Sequence, residues 1–342
     1  MTSVRKASRV EGSCERPVLR AQALGSRVPS DVRMNFHERH ALTLAGADSD
    51  TTIRYGAVLP QERVKTNRLP ALLTAPVCGS RFLFPRRFNR AVDALLADPR
   101  SAQDVAPEHA VWYFGPAVHL EVDPAHLTLR LADYVRSPDG IRWAGASFID
   151  AADWSDVILP LTSAPVHREM ADLVAAGSEF RDSHSYQRLV RGVRAGRPIK
   201  RNGVQLKSVD DVEAYFRYCR DLIKSMRKRG VVRHREYGGF HRLRIKHRNT
   251  RSPALDAAER DIGVAITEDG KLIRHLGGKH RTAVAQALGL PAIPVEVRLV
   301  HVRWIARQMA RTGQPADRAL REALRGLMTA GPEASRLEPG RV

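Results

Sequence analysis

Residues 261–301 read DIGVAITEDGKLIRHLGGKHRTAVAQALGLPAIPVEVRLVH. Ile262, Val264 and Ile266 alternate with small or polar residues, which predicts a strand. Asp269-Gly270 supplies a tight turn, and Leu272 to His275 returns as a second short strand. Gly277-Gly278 stops that strand. From Lys279 to Leu288, Val284 and Leu288 stand one helical turn apart with Ala283 and Ala287 beside them, and Gly289 occupies the place of a C′ residue. The spacing therefore predicts a helix over 279–288 whose first turn carries Lys279, His280 and Arg281. A helix start already presents about half a positive charge in its exposed N–H groups, so three basic side chains there call for a compensating anion. Two glycines let backbone amides approach that anion, and Arg281 can fork onto a phosphate or carboxylate. A hairpin and helix packed for structure alone, with the basic side chains in solvent, is the competing reading. A P-loop is excluded, because His280 follows Lys279 where Ser or Thr is needed and Ile273 stands at the first glycine position.

Gly278-Lys279-His280-Arg281, after a short strand and before an Ala/Leu helix ending in LGLPAIPVEV, resembles the G-x-H-R box of the ParB/sulfiredoxin-like superfamily, and most of all its uncharacterised ParB-nuclease-like branch. The resemblance covers 261–301 well and reaches back more loosely to about 165. It implies a nucleotide, ATP, ADP or CTP, with its phosphates held by Gly278, His280 and Arg281. Lys279 stands where sulfiredoxins carry their catalytic Cys, which argues against sulfinic acid reduction, since an amine cannot form a thiolsulfinate. Gly277 replaces an Asp that often precedes the box, and too few residues follow His301 for the helix-turn-helix domain of chromosome-partitioning members. The expected phosphate site is thus Gly277, Gly278, Lys279, His280, Arg281 and Thr282. His280 is the one catalytic candidate, as a hydrogen-bond donor or proton-transfer group. An NTPase or phosphotransferase activity and non-catalytic binding both fit. Mg²⁺ is expected only with a triphosphate. No metal-ligand set is read, because Glu268 and Asp269, near Asp261 in sequence, belong to a turn.

Charge carries the alternative. Of a net +19, residues 181–251 hold +15, from 21 Lys and Arg against 6 Asp and Glu. The alternating HRLRIKHR run places Arg242, Arg244, Lys246 and Arg248 on one strand or extended loop. A non-catalytic DNA- or RNA-binding protein that grips phosphates through this segment is the second functional class. Aromatic interleaving is thin, since Tyr215, Phe216 and Tyr218 fall on the apolar face of a helix from Val209 to Arg229, capped by Ser208 and ended by Gly230. The Arg227-Lys228-Arg229 end of that helix also suits its dipole.

No run of 18 apolar residues occurs and the basic start has no apolar h-region, so a cytoplasmic protein without a membrane partner is expected. Cys14, Cys78 and Cys219 lie too far apart for a disulfide framework or a C-x-x-C knuckle. His37-Glu38-Arg39-His40 has its histidines at i and i+3, not the i and i+4 of a zinc helix. The expected organisation is a basic, disordered leader (1–33), a variable mixed segment with strands and short helices (34–164), a ParB/sulfiredoxin-like α/β (α+β) domain (165–328, core 261–301) and a disordered tail (329–342). His301 and Trp304 open a later helix, with either pocket lining or helix packing as their role.

Overall fold

The computed structural model describes residues 80–101, 105–132, 134–137, 140–201, 204–233 and 261–332. In chain order they form α1 (Leu83–Ala97), α2 (Pro107–Phe114), β1 (His119–Val122), β2 (Leu129–Leu131), β3 (Tyr134–Ser137), β4 (Gly140–Trp143), β5 (Ile149–Asp150) and β6 (Ile158–Pro160). There follow α3 (Pro165–Ala176), α4 (His184–Arg194), β7 (Ile199–Arg201), β8 (Val204–Leu206) and α5 (Val209–Arg229). Beyond residue 260 come β9 (Ile262–Ile266), β10 (Leu272–Arg274), α6 (Lys279–Leu288), β11 (Ile293–His301), α7 (Val302–Thr312) and α8 (Ala316–Ala330). The leader, the 37–40 histidines and Arg242, Arg244, Lys246 and Arg248 lie outside the described residues.

A seven-stranded mixed sheet organises the fold, in the order β1-β11-β9-β10-β2-β6, with β5 also pairing β11. β11 runs parallel to β9 and β10 parallel to β2, while β1 meets β11 and β10 meets β9 in antiparallel register. The chain is therefore mixed α/β, as expected. The division expected at 164/165 runs through this sheet, because β1, β2, β5 and β6 pair with one another or with strands from 262–301. The short strands β1, β2, β5 and β6 belong to the same sheet as β9, β10 and β11, a membership that composition alone does not show.

Alternation along β9 assigns its two faces. Ile262, Val264 and Ile266 join the contiguous apolar core with Leu120, Leu272, Val295 and Val297, whereas Gly263 and Ala265 take the opposite face. α5 shows why 209–229 is helical. Ser208 and Asp211 form a reciprocal capping box, Gly230 ends the helix, and Val212, Tyr215, Phe216, Cys219, Leu222, Ile223 and Met226 are buried along one side. Phe84, Phe88, Phe114 and Phe148 form an aromatic cluster at the α1–α2 end of the core. Trp112 is 58% exposed, while Trp154 is buried with its indole N–H donated to Asp150.

The loop between β10 and α6 is set by glycine. Gly277 and Gly278 both have left-handed backbones, and a Cβ on Gly278 would meet Ile262 Cγ1 at 2.5 Å and Ile262 Cα at 2.9 Å. Gly278→Ala would thus combine a disfavoured φ with an overlap against a β9 backbone atom. It is expected to destabilise the chain by about 2–4 kcal/mol, as overlap and φ penalties add. Chemical denaturation of parent and variant checks this, and an unchanged midpoint would show that α6 can move off β9 freely.

Candidate functional site

The helix predicted over 279–288 is present with those bounds, entered through Gly278 and closed by a left-handed Gly289. No side chain caps its N-terminus. The three basic residues of its first turn diverge, however, because consecutive helical side chains are about 100° apart. Lys279 is exposed, Arg281 is half-buried and His280 is buried. They do not form one phosphate cradle.

His280 corrects the sequence reading most plainly. Its Nε2 lies 3.0 Å from the Tyr215 hydroxyl, which lies 3.1 Å from Glu169 Oε2. The carboxylate is the stronger acceptor, so Tyr215 donates to Glu169 and His280 Nε2–H donates to Tyr215. Burial above all, and then Lys279, Arg201 and His167, hold the imidazole down at a pKa of about 3. A neutral histidine committed to an interior chain of hydrogen bonds is not positioned to give a proton to a phosphate beside the helix start. Thr282 is likewise turned inward, its hydroxyl donating to Gly278 O at 3.1 Å.

A second pair of cations lies on the neighbouring strands β10 and β2, and one of them reaches the helix start. Arg274 and Arg130 are directly paired residues of the parallel strands β10 and β2, so their side chains leave one face of the sheet side by side. Arg274 Nη1 donates to Gly277 O at 3.0 Å, which brings its guanidinium to the loop that opens α6. His167 of α3 is a neutral neighbour of both arginines and meets α6 at its last turn. Its Nδ1 lies 3.0 Å from Gln286 Oε1, and the Gln286 amide nitrogen is fixed by donation to Pro124 O and Leu127 O. Nδ1 therefore carries the proton, and Nε2, buried and without a partner, presents a lone pair. Burial first, then the charges of Arg274 and Arg130, keeps His167 neutral with a pKa of about 4. The field at this position is strongly positive.

Arg281 turns the other way, toward Asp261, with Nη1 to Oδ1 at 4.0 Å. Asp261 belongs to a group that the sequence reading missed, in which ligand atoms of His119, Asp261 and Glu296 all lie within 4.8 Å of one another. Sheet pairing brings them together. His119 of β1 is paired with Glu296 of β11, and Glu296 with Gly263 of β9, two residues after Asp261. Arg298 ties this group to the glycine loop, with Nε 3.3 Å from Glu296 Oε1, Nη2 donated to Asp261 O at 2.7 Å and Nη1 to Leu276 O at 3.3 Å. One signal for it is visible in the sequence, an acidic residue inside the otherwise apolar run IPVEV.

His301 and Trp304 serve packing. His301 caps α7, accepting from Arg303 N through Nδ1 and donating through Nε2 to Ala152 O, and Trp304 packs over Gly270 in the β9–β10 turn. No described helix is long and apolar enough to cross a membrane. No protein-family model, curated protein or solved structure matches the chain.

Proposed function

We propose that the chain binds a phosphate-bearing ligand of the nucleotide class at the start of α6, between Gly277, Gly278, Lys279, Arg274, Arg130 and His167. The observation that carries this reading is the Arg274–Arg130 register, which puts two arginines on directly paired positions with Arg274 reaching the loop that opens an uncapped helix. Like charges on directly paired residues disfavour the sheet, and an anion placed between them and the helix N–H groups removes that penalty. A nucleotide also brings hydroxyl or amino donors, and one of these would satisfy His167 Nε2. The site is the one marked by the G-x-H-R resemblance, with its cations supplied by β10 and β2 in place of His280 and Arg281. Binding is the better supported capacity. NTPase or phosphotransferase turnover would need a proton-transfer group other than His280.

Melting temperatures of the full chain against ATP, ADP, CTP and GTP test the reading, since a ligand that binds only the folded state raises them. Arg274→Ala is expected to weaken the preferred nucleotide about ten- to a hundredfold, the loss of charge-assisted hydrogen bonds worth roughly 1.5–3 kcal/mol. Lys279→Ala should cost less, as an exposed lysine acts as a hydrated point charge. Arg281→Ala should also cost less than Arg274→Ala, because Arg281 is turned toward Asp261. If no nucleotide shifts the melting temperature, or if Arg281→Ala loses binding and a folded Arg274→Ala retains it, this assignment is wrong.

A further inference from the structure

We propose that His119, Asp261 and Glu296 form a binding site for a divalent transition-metal ion. The site lies on the sheet face opposite the Arg274–Arg130 pair and does not depend on phosphate binding.

The backbone builds the site. His119 and Glu296 are direct cross-strand neighbours at the β1 edge, so both side chains leave the same face. Ile262 pairs with Val295 in the parallel β9–β11 register, which puts Asp261 one position earlier, on that same face. Asp261 and Glu296 are each 5% exposed, and their ligand atoms and that of His119 lie within 4.8 Å of one another. Ligand atoms about 2.0–2.2 Å from a shared ion sit roughly 3–4 Å apart, so small side-chain rotations suffice to close the group on a metal.

Charge favours a cation there. Two carboxylates buried this close repel each other unless positive charge lies between or beside them. Arg298 and Arg281 stand beside them, at 3.3 Å from Glu296 and 4.0 Å from Asp261. Arg298 also bonds two backbone carbonyls and so holds Glu296 from a fixed position, the usual part of an outer-layer partner of a metal ligand.

A second observation comes from the same row of the sheet. His275 lies opposite Gly263, its N–H donated to Gly263 O at 2.7 Å, and Gly263 is in turn paired with Glu296. The His275 ring is fully buried, and neither of its nitrogens has a partner. Unsatisfied buried nitrogens cost stability. An imidazole retained in line with His119 and Glu296 marks a row built for polar contents rather than for apolar packing.

The donor set selects the metal. One imidazole nitrogen with two carboxylate oxygens suits Mn²⁺, Fe²⁺, Co²⁺ or Zn²⁺, whereas Mg²⁺ and Ca²⁺ favour oxygen alone. Three protein ligands leave coordination positions for water or a further ligand.

The test titrates the chelator-treated full chain with MnCl₂ and follows the loss of the free-ion EPR signal. One Mn²⁺ per chain is expected, displaced by Zn²⁺ but not by a hundredfold excess of Mg²⁺. Glu296→Gln and Asp261→Asn should each weaken Mn²⁺ at least tenfold. If the buried variants do not fold, His119→Gln on the edge strand decides, and a tenfold loss there supports the site. Absence of saturable binding, equal displacement by Mg²⁺, or unchanged affinity in the folded ligand variants would overturn it.

Discussion

Lowering the pH from 8 to 5 is expected to remove about 6 kcal/mol of folding stability, by proton uptake at three buried histidines. Burial is the main reason each is neutral. His167 is held at a pKa of about 4, and His275 and His280 at about 3. Positive neighbours reinforce it, Arg274 and Arg130 at His167, Arg274 and Arg298 at His275, and Lys279 and Arg201 at His280. Each folded-state pKa lies below the unfolded value near 6.5, so the unfolded chain binds protons first as the pH falls. The stability these groups contribute is complete above about pH 6.5 and is lost on the way down toward their folded pKa values. Each histidine contributes about 1.4 kcal/mol per pH unit in that window, and three together about 4. Urea unfolding at pH 8, 7, 6 and 5 measures the slope directly. His275→Leu separates one component. Both ring nitrogens lack partners, so an apolar side chain of similar size should leave the stability at pH 8 unchanged or higher, and should flatten the slope by about a third. A flat profile between pH 7 and 5 would show that these rings reach solvent and titrate as in the unfolded chain.

The histidines also mark where sequence reading reaches its limit. Local pattern was enough for the β9, β10, α6, β11 run, because glycines, alternation and helical spacing act within a few residues. The same holds for α5, whose cap, apolar stripe and C-terminal glycine all agree. What the pattern does not carry is direction around the helix and pairing across the sheet. Lys279, His280 and Arg281 read as one basic cluster, yet the 100° step between helical residues sends them to solvent, to Tyr215 and toward Asp261. Conversely, Arg130 and Arg274 are unremarkable in sequence and become a pair only when β2 lies parallel to β10. His119, Asp261 and Glu296 meet for the same reason. Strands β1, β2, β5 and β6 are too short to announce their membership in the sheet, since two to four residues of alternation fit many alternatives.

The interior hydrogen-bond chain that removes His280 from the candidate site predicts the largest single-residue effect on stability. Glu169→Gln is expected to destabilise the chain by about 3–5 kcal/mol, the usual cost of leaving one member of a buried ion pair uncompensated. Glu169 has no exposed surface, and both its oxygens lie 3.1 Å from Arg201 Nε. Its Oε2 also accepts from Tyr215, and Arg188 Nη2 stands 3.4 Å from Oε1. Burial alone would lower the Arg201 pKa, and the Glu169 hydrogen bonds and charge reverse this, so the net direction is upward. The guanidinium is thus charged and 8% exposed, with Glu169 as the carboxylate that its Nε and Nη2 contact. A glutamine keeps one acceptor oxygen but turns an N–H₂ group toward a cationic donor, losing both the charge and one hydrogen bond. At roughly 2–4 °C per kcal/mol for a domain of this size, the melting temperature should fall by about 6–20 °C. Tyr215→Phe should cost less, about 1–3 kcal/mol, as it removes a neutral hydroxyl while the ion pair remains. Replacing Glu169 and Arg201 together by methionine should recover much of the loss, since no charge is then stranded. That recovery distinguishes a stranded charge from lost packing. If Glu169→Gln melts within about 2 °C of the parent, or the double variant is no better than the single, Arg201 is compensated elsewhere and the chain from Glu169 through Tyr215 to His280 is not what fixes α3, α5 and α6 together.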